Sequence, residues 1–134
     1  MSHDAWWTLG ASAERLARIR GALLVAPPDV DAADAHPLVR RFAPAPVALL
    51  PFPSILVASR NDRYATFDRL ETLARAWGSR FVDVGQAGHI NAKSGLGDWA
   101  DGEVLLEELI DDVRRLRRKA GLPLQTKAWI RRAR

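Results

Sequence analysis

Two short polar stretches, "SRNDRY" (Ser59–Tyr64) and "AGHIN" (Ala87–Asn91), each follow directly on an apolar run. The first holds Asp62 and the second His89. A carboxylate that accepts a hydrogen bond from one imidazole nitrogen fixes the tautomer and stabilises the imidazolium. The other nitrogen is then free to act as a general base. The sequence has no cysteine, which excludes a thiol nucleophile, thiolate metal ligands and disulfides, and fits a reducing compartment. The same residues also have plainer readings. Asp62 can form a turn or begin a helix, Thr66 can cap that helix, and a loop histidine can simply be solvated. His3, His36 and His89 lack metal-ligand spacing, and there is no H-E-x-x-H, so neither metal nor cofactor is expected.

Whether the two stretches can meet depends on the elements that carry them. "PSILVAS" (Pro53–Ser59) is apolar on both faces, the pattern of a buried strand in a parallel sheet. "RFVDV" (Arg80–Val84) reads as the next strand. Between them, "FDRLETLARAWG" puts Phe67, Leu70, Leu73, Ala74 and Trp77 on one helical face, with Gly78 as a stop. Earlier, Trp6, Leu9, Ala13, Leu16 and Ala17 follow helical spacing, and "GALLVAPPDV" (Gly21–Val30) reads as another buried strand. The proline-rich segment Ala32–Leu50 is expected to be a loop with one helical turn, placed to serve as a lid. Gly85–Asp101 is the loop that carries His89. A closing amphipathic helix has Leu105, Leu106, Leu109, Ile110, Val113 and Leu116 on its apolar face.

Strands alternating with helices predict an α/β fold with a parallel sheet. In such sheets ligands and catalytic groups gather beyond the carboxyl ends of the strands. Neighbouring strands lie about 4.8 Å apart, so residues just past their ends can touch. A parallel sheet of only three strands is uncommon, which suggests that strands are missing.

With 134 residues, 48% of them hydrophobic, the chain is long enough for one domain with a real core. Its net charge of +4 hides a division. Arg114–Arg134 holds nine of the 20 basic residues and no acidic one, leaving Met1–Val113 with 11 basic against 16 acidic, a net of −5. A nucleic-acid-binding domain more usually spreads basic charge over a folded face. "RRLRRK" reads instead as a solvated helix end that complements the helix dipole. There is no run of about 18 apolar residues and no secretory leader pattern, so the expected location is the cytoplasm.

The segment Pro51–Gly102, "PFPSILVASRNDRYATFDRLETLARAWGSRFVDVGQAGHINAKSGLGDWADG", resembles the second half of the small serine hydrolases related to YdeN and retinoblastoma-binding protein nine. "GALLVAPPDV" is similar to that family's strand and loop after the nucleophile helix. The resemblance runs from about Ala5 to Ala120 and is dense over Gly21–Trp99. It implies an α/β-hydrolase fold, of which residues 1–120 would be a C-terminal part; residues 121–134 have no counterpart in it and read as a loosely ordered basic tail. It further implies that Asp62 is the catalytic acid and His89 the catalytic base. Arg63 stands where the family often has proline. Acid before base, each after a late strand, is the Ser…Asp…His order of that fold.

The nucleophile of that family sits on a strand-turn-helix elbow in a G-H-S-x-G-like sequence, and this sequence contains none. Ser12, in "GASAE", is half an elbow, but it is too close to Gly21 for a normal crossover helix. Ser2 lacks an upstream strand, Ser54 enters a buried strand, and Ser94 lies in the histidine's own loop. Ser59 and Ser79 read as local structure. Three functions therefore compete. The first is a serine hydrolase for small-molecule esters or amides, whose nucleophile segment is absent from this chain. The second is an inactive, truncated hydrolase acting as an interaction module, self-associating through an exposed sheet edge. The third, binding of nucleic acid or an acidic partner through the basic tail, is the least supported, and no membrane association is expected.

Overall fold

Five consecutive small and branched residues, Ser54–Ala58, form strand β2, and every one of them is buried. The computed structural model describes residues 12–122. In chain order its elements are α1 (Ala13–Arg18), β1 (Ala22–Val25), α2 (Pro37–Arg40), β2 (Ser54–Ala58), α3 (Phe67–Trp77), β3 (Arg80–Asp83), a 3₁₀ turn (Ala92–Ser94) and α4 (Ala100–Lys119). The three strands form one parallel sheet in the order β1-β2-β3. Leu24, Leu56 and Phe81 share one register row, and Val25, Val57 and Val82 share the next.

The period of two along β2 divides the core between two faces. Leu56 and Ala58 meet Leu70, Leu73, Ala74 and Trp77 of α3. Ile55 and Val57 meet Leu109 of α4, with Leu105 and Val113 packed around them. The predicted α3 face is the one that packs. Thr66 Oγ1 accepts from the Arg69 amide at 3.2 Å to cap its start. Gly78 closes its end in a left-handed conformation (φ 68°), which a Cβ would disfavour. Trp77 extends the layer outward, since its indole N–H donates to the Pro46 carbonyl at 2.6 Å.

Two expectations need correcting. β1 was expected to be buried on both faces, yet all four of its residues are only half-buried. It pairs with β2 alone, and its other edge has no strand among the described residues. The apolar face expected for α4 is covered only in part. Leu109 is buried, whereas Leu106 is 42% and Leu116 51% exposed. A 20-residue helix runs about 30 Å, while a five-residue strand spans about 17 Å, so α4 overhangs the sheet. Its start is set by Gly102, where any Cβ would lie 2.1 Å from the Trp99 ring.

The segment Ala32–Leu50, expected to be a loop placed to serve as a lid, is tied to its neighbours at Ala45, Pro46 and Leu50. Its one helical turn is α2, as predicted. Asp29 and Asp31 both bind the Arg69 guanidinium, at 3.2 and 2.6 Å, and Asp31 also accepts from the Ala45 amide. The Leu50 amide donates to the Trp77 carbonyl at 3.0 Å. Near the end of α4, Arg114 and Arg115 pair with Asp111 and Asp112. No helix among the described residues is long and apolar enough to cross a membrane. The expected helix before Ala13, with Trp6 and Leu9, and the tail beyond 122 lie outside the described residues.

The carboxyl ends of β2 and β3 are tied by charge as well as by the ladder. Arg60 Nε and Nη2 donate to Asp83 Oδ2 at 2.8 and 2.6 Å, and the Gly85 amide donates to Asp83 Oδ1 at 2.8 Å. The hydrogen bond from Arg60, helped by that from Gly85, holds the Asp83 carboxyl below its ordinary range, and the Arg60 guanidinium is raised in turn.

Two predictions follow from this packing. Leu70→Ala is expected to cost about 2–5 kcal/mol in urea unfolding, and the exposed Leu106→Ala less than about 0.5 kcal/mol. Equal costs would refute the partition of the core. As pH falls, the unfolded Asp83 takes up its proton before the folded one. Its contribution is therefore full above the ordinary carboxylate pKa and lost as pH drops toward the lower folded value. Asp83→Asn should flatten that part of the acid-unfolding curve, by a small amount that shrinks in salt because the pair is exposed.

Candidate active site

The two polar stretches do meet, and a small hydrogen-bonded seam brings them together. Ser59, the first residue after β2, is fully buried. Its hydroxyl donates to Asn61 Oδ1 at 2.8 Å and accepts from the Ala87 amide at 2.9 Å. Asn61 Oδ1 also accepts from the Gly88 amide at 2.8 Å. Below this seam the Arg60 amide donates to the Gly85 carbonyl at 2.7 Å. The loop after β3 is thereby stitched to the loop after β2 over Gly85, Ala87 and Gly88. His89 is the next residue.

There Asp62 Oδ2 lies 2.9 Å from His89 Nδ1. The Asp62 side chain is completely buried, while that of His89 is 28% exposed. The other carboxylate oxygen, Oδ1, accepts from the Tyr64 amide at 2.9 Å. One oxygen of Asp62 therefore makes the turn and the other faces the imidazole. The Tyr64 ring lies against His89, with centroids 4.5 Å apart and planes tilted by 56°.

The residue after His89 fixes which way the loop turns. Ile90 takes a left-handed conformation at φ 50°, a costly choice of about 1–3 kcal/mol for a β-branched residue. Its side chain packs on the Ile55, Val57 and Leu109 cluster. Consecutive residues thus point oppositely, Ile90 into the core and His89 into a cleft. Asn91 and Ser94 then close the loop as a reciprocal cap around the 3₁₀ turn.

The cleft beside His89 has a volume of about 480 Å³, and Pro28, His36, Val39, Arg63 and Tyr64 are among its walls. A more open groove of about 570 Å³ lies at the opposite, amino-terminal ends of β2 and β3, near Ser54 and Arg80. It contains no histidine, whereas His89 lies on the carboxyl side, where parallel sheets gather ligands.

Each described serine is engaged in local structure. Ser12 caps α1 by accepting from the Arg15 amide. Ser54 and Ser79 share a hydrogen bond at 2.6 Å. Ser59 is part of the seam, and Ser94 accepts from the Asn91 amide. Ser2 and His3 lie outside the described residues. His36 Nδ1 accepts from the Leu38 amide, which caps α2. Among the described residues no three His, Cys, Asp or Glu side chains are grouped to hold a metal ion. Sequence reasoning missed Asn61 and Tyr64 and took Ser59 only as local structure. The available signal was "SRNDRY" itself, in which a hydroxyl and an amide precede the acid at the mouth of a buried strand.

A search among curated proteins gives no match. Among solved structures, the chain is similar to a protein from Pectobacterium atrosepticum described as a YdeN-like hydrolase. The two are 38% identical with a TM-score of 0.60, and the match covers 71% of this chain and 48% of that one. The chain thus spans about half the length of that protein. A family model described as serine hydrolase matches residues 5–108. With its open sheet of three parallel strands flanked by helices, a partial α/β-hydrolase fold, the chain belongs to the serine hydrolase family.

Proposed function

We propose that Asp62 and His89 are the acid and base of a Ser-His-Asp triad that hydrolyses an ester or amide bond of a small molecule. The observation that carries this reading is the 2.9 Å contact between a fully buried carboxylate and a partly exposed imidazole. Asp62 keeps the proton of the neutral imidazole on Nδ1, so Nε2 is the free base. Nε2 takes the proton of a serine hydroxyl as that oxygen attacks the substrate carbonyl. It then gives the proton to the departing alcohol or amine. The buried Asp62 stabilises the imidazolium between those two events. Water repeats the cycle on the acyl-serine.

The five described serines do not supply this hydroxyl in this reading, since they are committed elsewhere, and Ser2 has no strand before it in the sequence. The nucleophile comes from polypeptide outside these 134 residues. Intact-mass spectrometry after exposure to a fluorophosphonate probe tests the scheme. The 134 residues alone are expected to take up no adduct. A form of the protein that also carries a G-x-S-x-G segment is expected to take up one, abolished by His89→Ala and slowed ~10⁴-fold by Asp62→Asn. Labelling indifferent to His89→Ala would overturn the role of His89. An adduct on the 134 residues would overturn the external nucleophile, with Ser12 mapped first.

A second reading has its own observation. β1 is apolar on both faces, half-buried, and paired along one edge only among the described residues. Such an edge presents unpaired backbone groups to another strand. In this reading the chain is an interaction module whose partner is a second copy of itself. Sedimentation equilibrium is expected to give a mass that rises above the monomer with concentration. A monomer at every concentration would dispose of the idea.

A further inference from the structure

We propose that two copies of this chain pair α4 against α4, antiparallel, beside the β1 edge, so that the acidic half of each helix meets the basic half of the other. The idea rests on the second reading above, in which β1 meets a second copy, and it names the surface that completes that contact. Every acid of α4 lies before Val113 and every base after it. At about 100° per residue, Leu106 and Ile110 share one flank of the helix, with Glu103, Glu107 and Arg114 along its outer rim. Glu108 lies on the opposite flank and pairs with Arg80 of β3, so the Leu106 flank is turned toward β1. Leu106 is 42% exposed there and Ile110 is half-buried. Among the described residues Glu103, Glu107 and Arg118 have no ion pair, and Arg114 has Asp111 at 3.9 Å. Each end of the helix thus carries charge that an antiparallel copy would neutralise.

The fold brings the two flanks to packing distance. A two-fold axis that sets β1 antiparallel to its copy also sets α4 antiparallel to its copy. α4 packs on β1 and β2 together. Its axis therefore lies about half a strand spacing inside β1, and the two-fold lies half a spacing outside it. With about 4.8 Å between strands, the two helix axes come about 10 Å apart, a distance at which helices pack. The levels along the strand agree as well. The edge runs from Ile19, which is extended and 41% exposed, to Val25, with Ala22 at its middle. Next to Ala22, Gly21 lies against α4, and a Cβ on it would be 2.9 Å from Val113 Cγ2 and 3.3 Å from Leu109 Cδ1. An axis through the middle of the edge thus passes close to Ile110. Ile110 then faces Ile110 of the second copy, Glu107 faces its Arg114, and Glu103 faces its Arg118.

The full chain has no cysteine, so a single introduced one reports the register. Helix axes about 10 Å apart put facing Cα atoms about 5–6 Å apart, within disulfide reach. Ile110→Cys, oxidised with copper phenanthroline, is expected to give a covalent dimer, and Asp111→Cys, on the outer face of the helix, to give little. In sedimentation equilibrium the dimer is expected to weaken about tenfold between about 50 and about 500 mM NaCl. Glu103→Lys with Glu107→Lys, and Arg114→Glu with Arg118→Glu, are each expected to weaken self-association at least about tenfold, while a 1:1 mixture of the two variants associates again. Recovery in the mixture also shows that both variants are folded. Leu106→Ala is expected to weaken the dimer while leaving the stability of the separate chain as given above. Equal trapping at positions 110 and 111 would overturn the register. A dimer that persists in both charge variants, with Ile110→Cys untrapped, would overturn the α4 pairing and leave the β1 contact standing. A monomer in every sample would remove both.

Discussion

A carboxylate with no exposure to water is the constraint around which this structure is arranged. Asp62 must have partners for its oxygens, because an unpaired buried charge costs several kcal/mol even after relaxation. One partner is local, the amide of Tyr64 two residues on. The other is 27 residues away, on His89, and can be reached only if the loop after β3 returns to the loop after β2. Parallel pairing of β2 with β3 brings the two strand ends side by side. The Ser59–Asn61 seam then fixes the last few ångströms by holding the amides of Ala87 and Gly88. Asn61 serves both bonds to its Oδ1 with a single atom, so the seam is rigid in a way that two independent contacts would not be.

The layers beneath divide the remaining work. β2 is covered on both faces and both edges, so it offers a fixed floor from which Ser59 and Asp62 project. α3 braces that floor and, through Arg69, also holds Asp31 and Asp29, the latter a lining residue of the cleft beside His89. Trp77 at the far end of the same helix holds the Pro46 carbonyl. One helix therefore braces both the sheet and the proline-rich segment. The cost of this economy falls at the edges. β1 and the overhanging end of α4 keep apolar surface half in water.

Much of this was legible in the residues. The α3 face was readable from Leu70, Leu73, Ala74 and Trp77, because a helix buried along one side writes its period into the chain. β2 was readable because burial on both faces demands an unbroken apolar run. β1 has the same kind of run but not the same burial, since composition does not say whether a strand has one neighbour or two. α4 shows the same limit, where the periodicity of Leu106 and Leu116 marks a face but not the width of the sheet beneath it. The pairing of Asp62 with His89 followed from their places after consecutive parallel strands. Asn61 and Tyr64 could not be read that way. Asn61 acts on backbone amides, which every residue carries, and Tyr64 acts through a ring contact that no spacing encodes.

The same division explains why the Asp62 side chain is buried while that of His89 is partly exposed. If Asp62 were in water, its field at Nδ1 would be screened and its hydrogen bond would compete with solvent. Placed under the Tyr64 turn with no exposure, it has one direction in which its charge can be answered. His89, at 28% exposure, keeps an edge toward the cleft. The strained backbone of Ile90 supports this arrangement, since its side chain binds the α4-side core and so prevents the imidazole from relaxing inward. Buried carboxylate, anchored turn and partly exposed imidazole are thus consequences of packing on two different faces of one strand. The Leu56 side secures α3 and the wall, and the Ile55–Val57 side secures Ile90 and the loop.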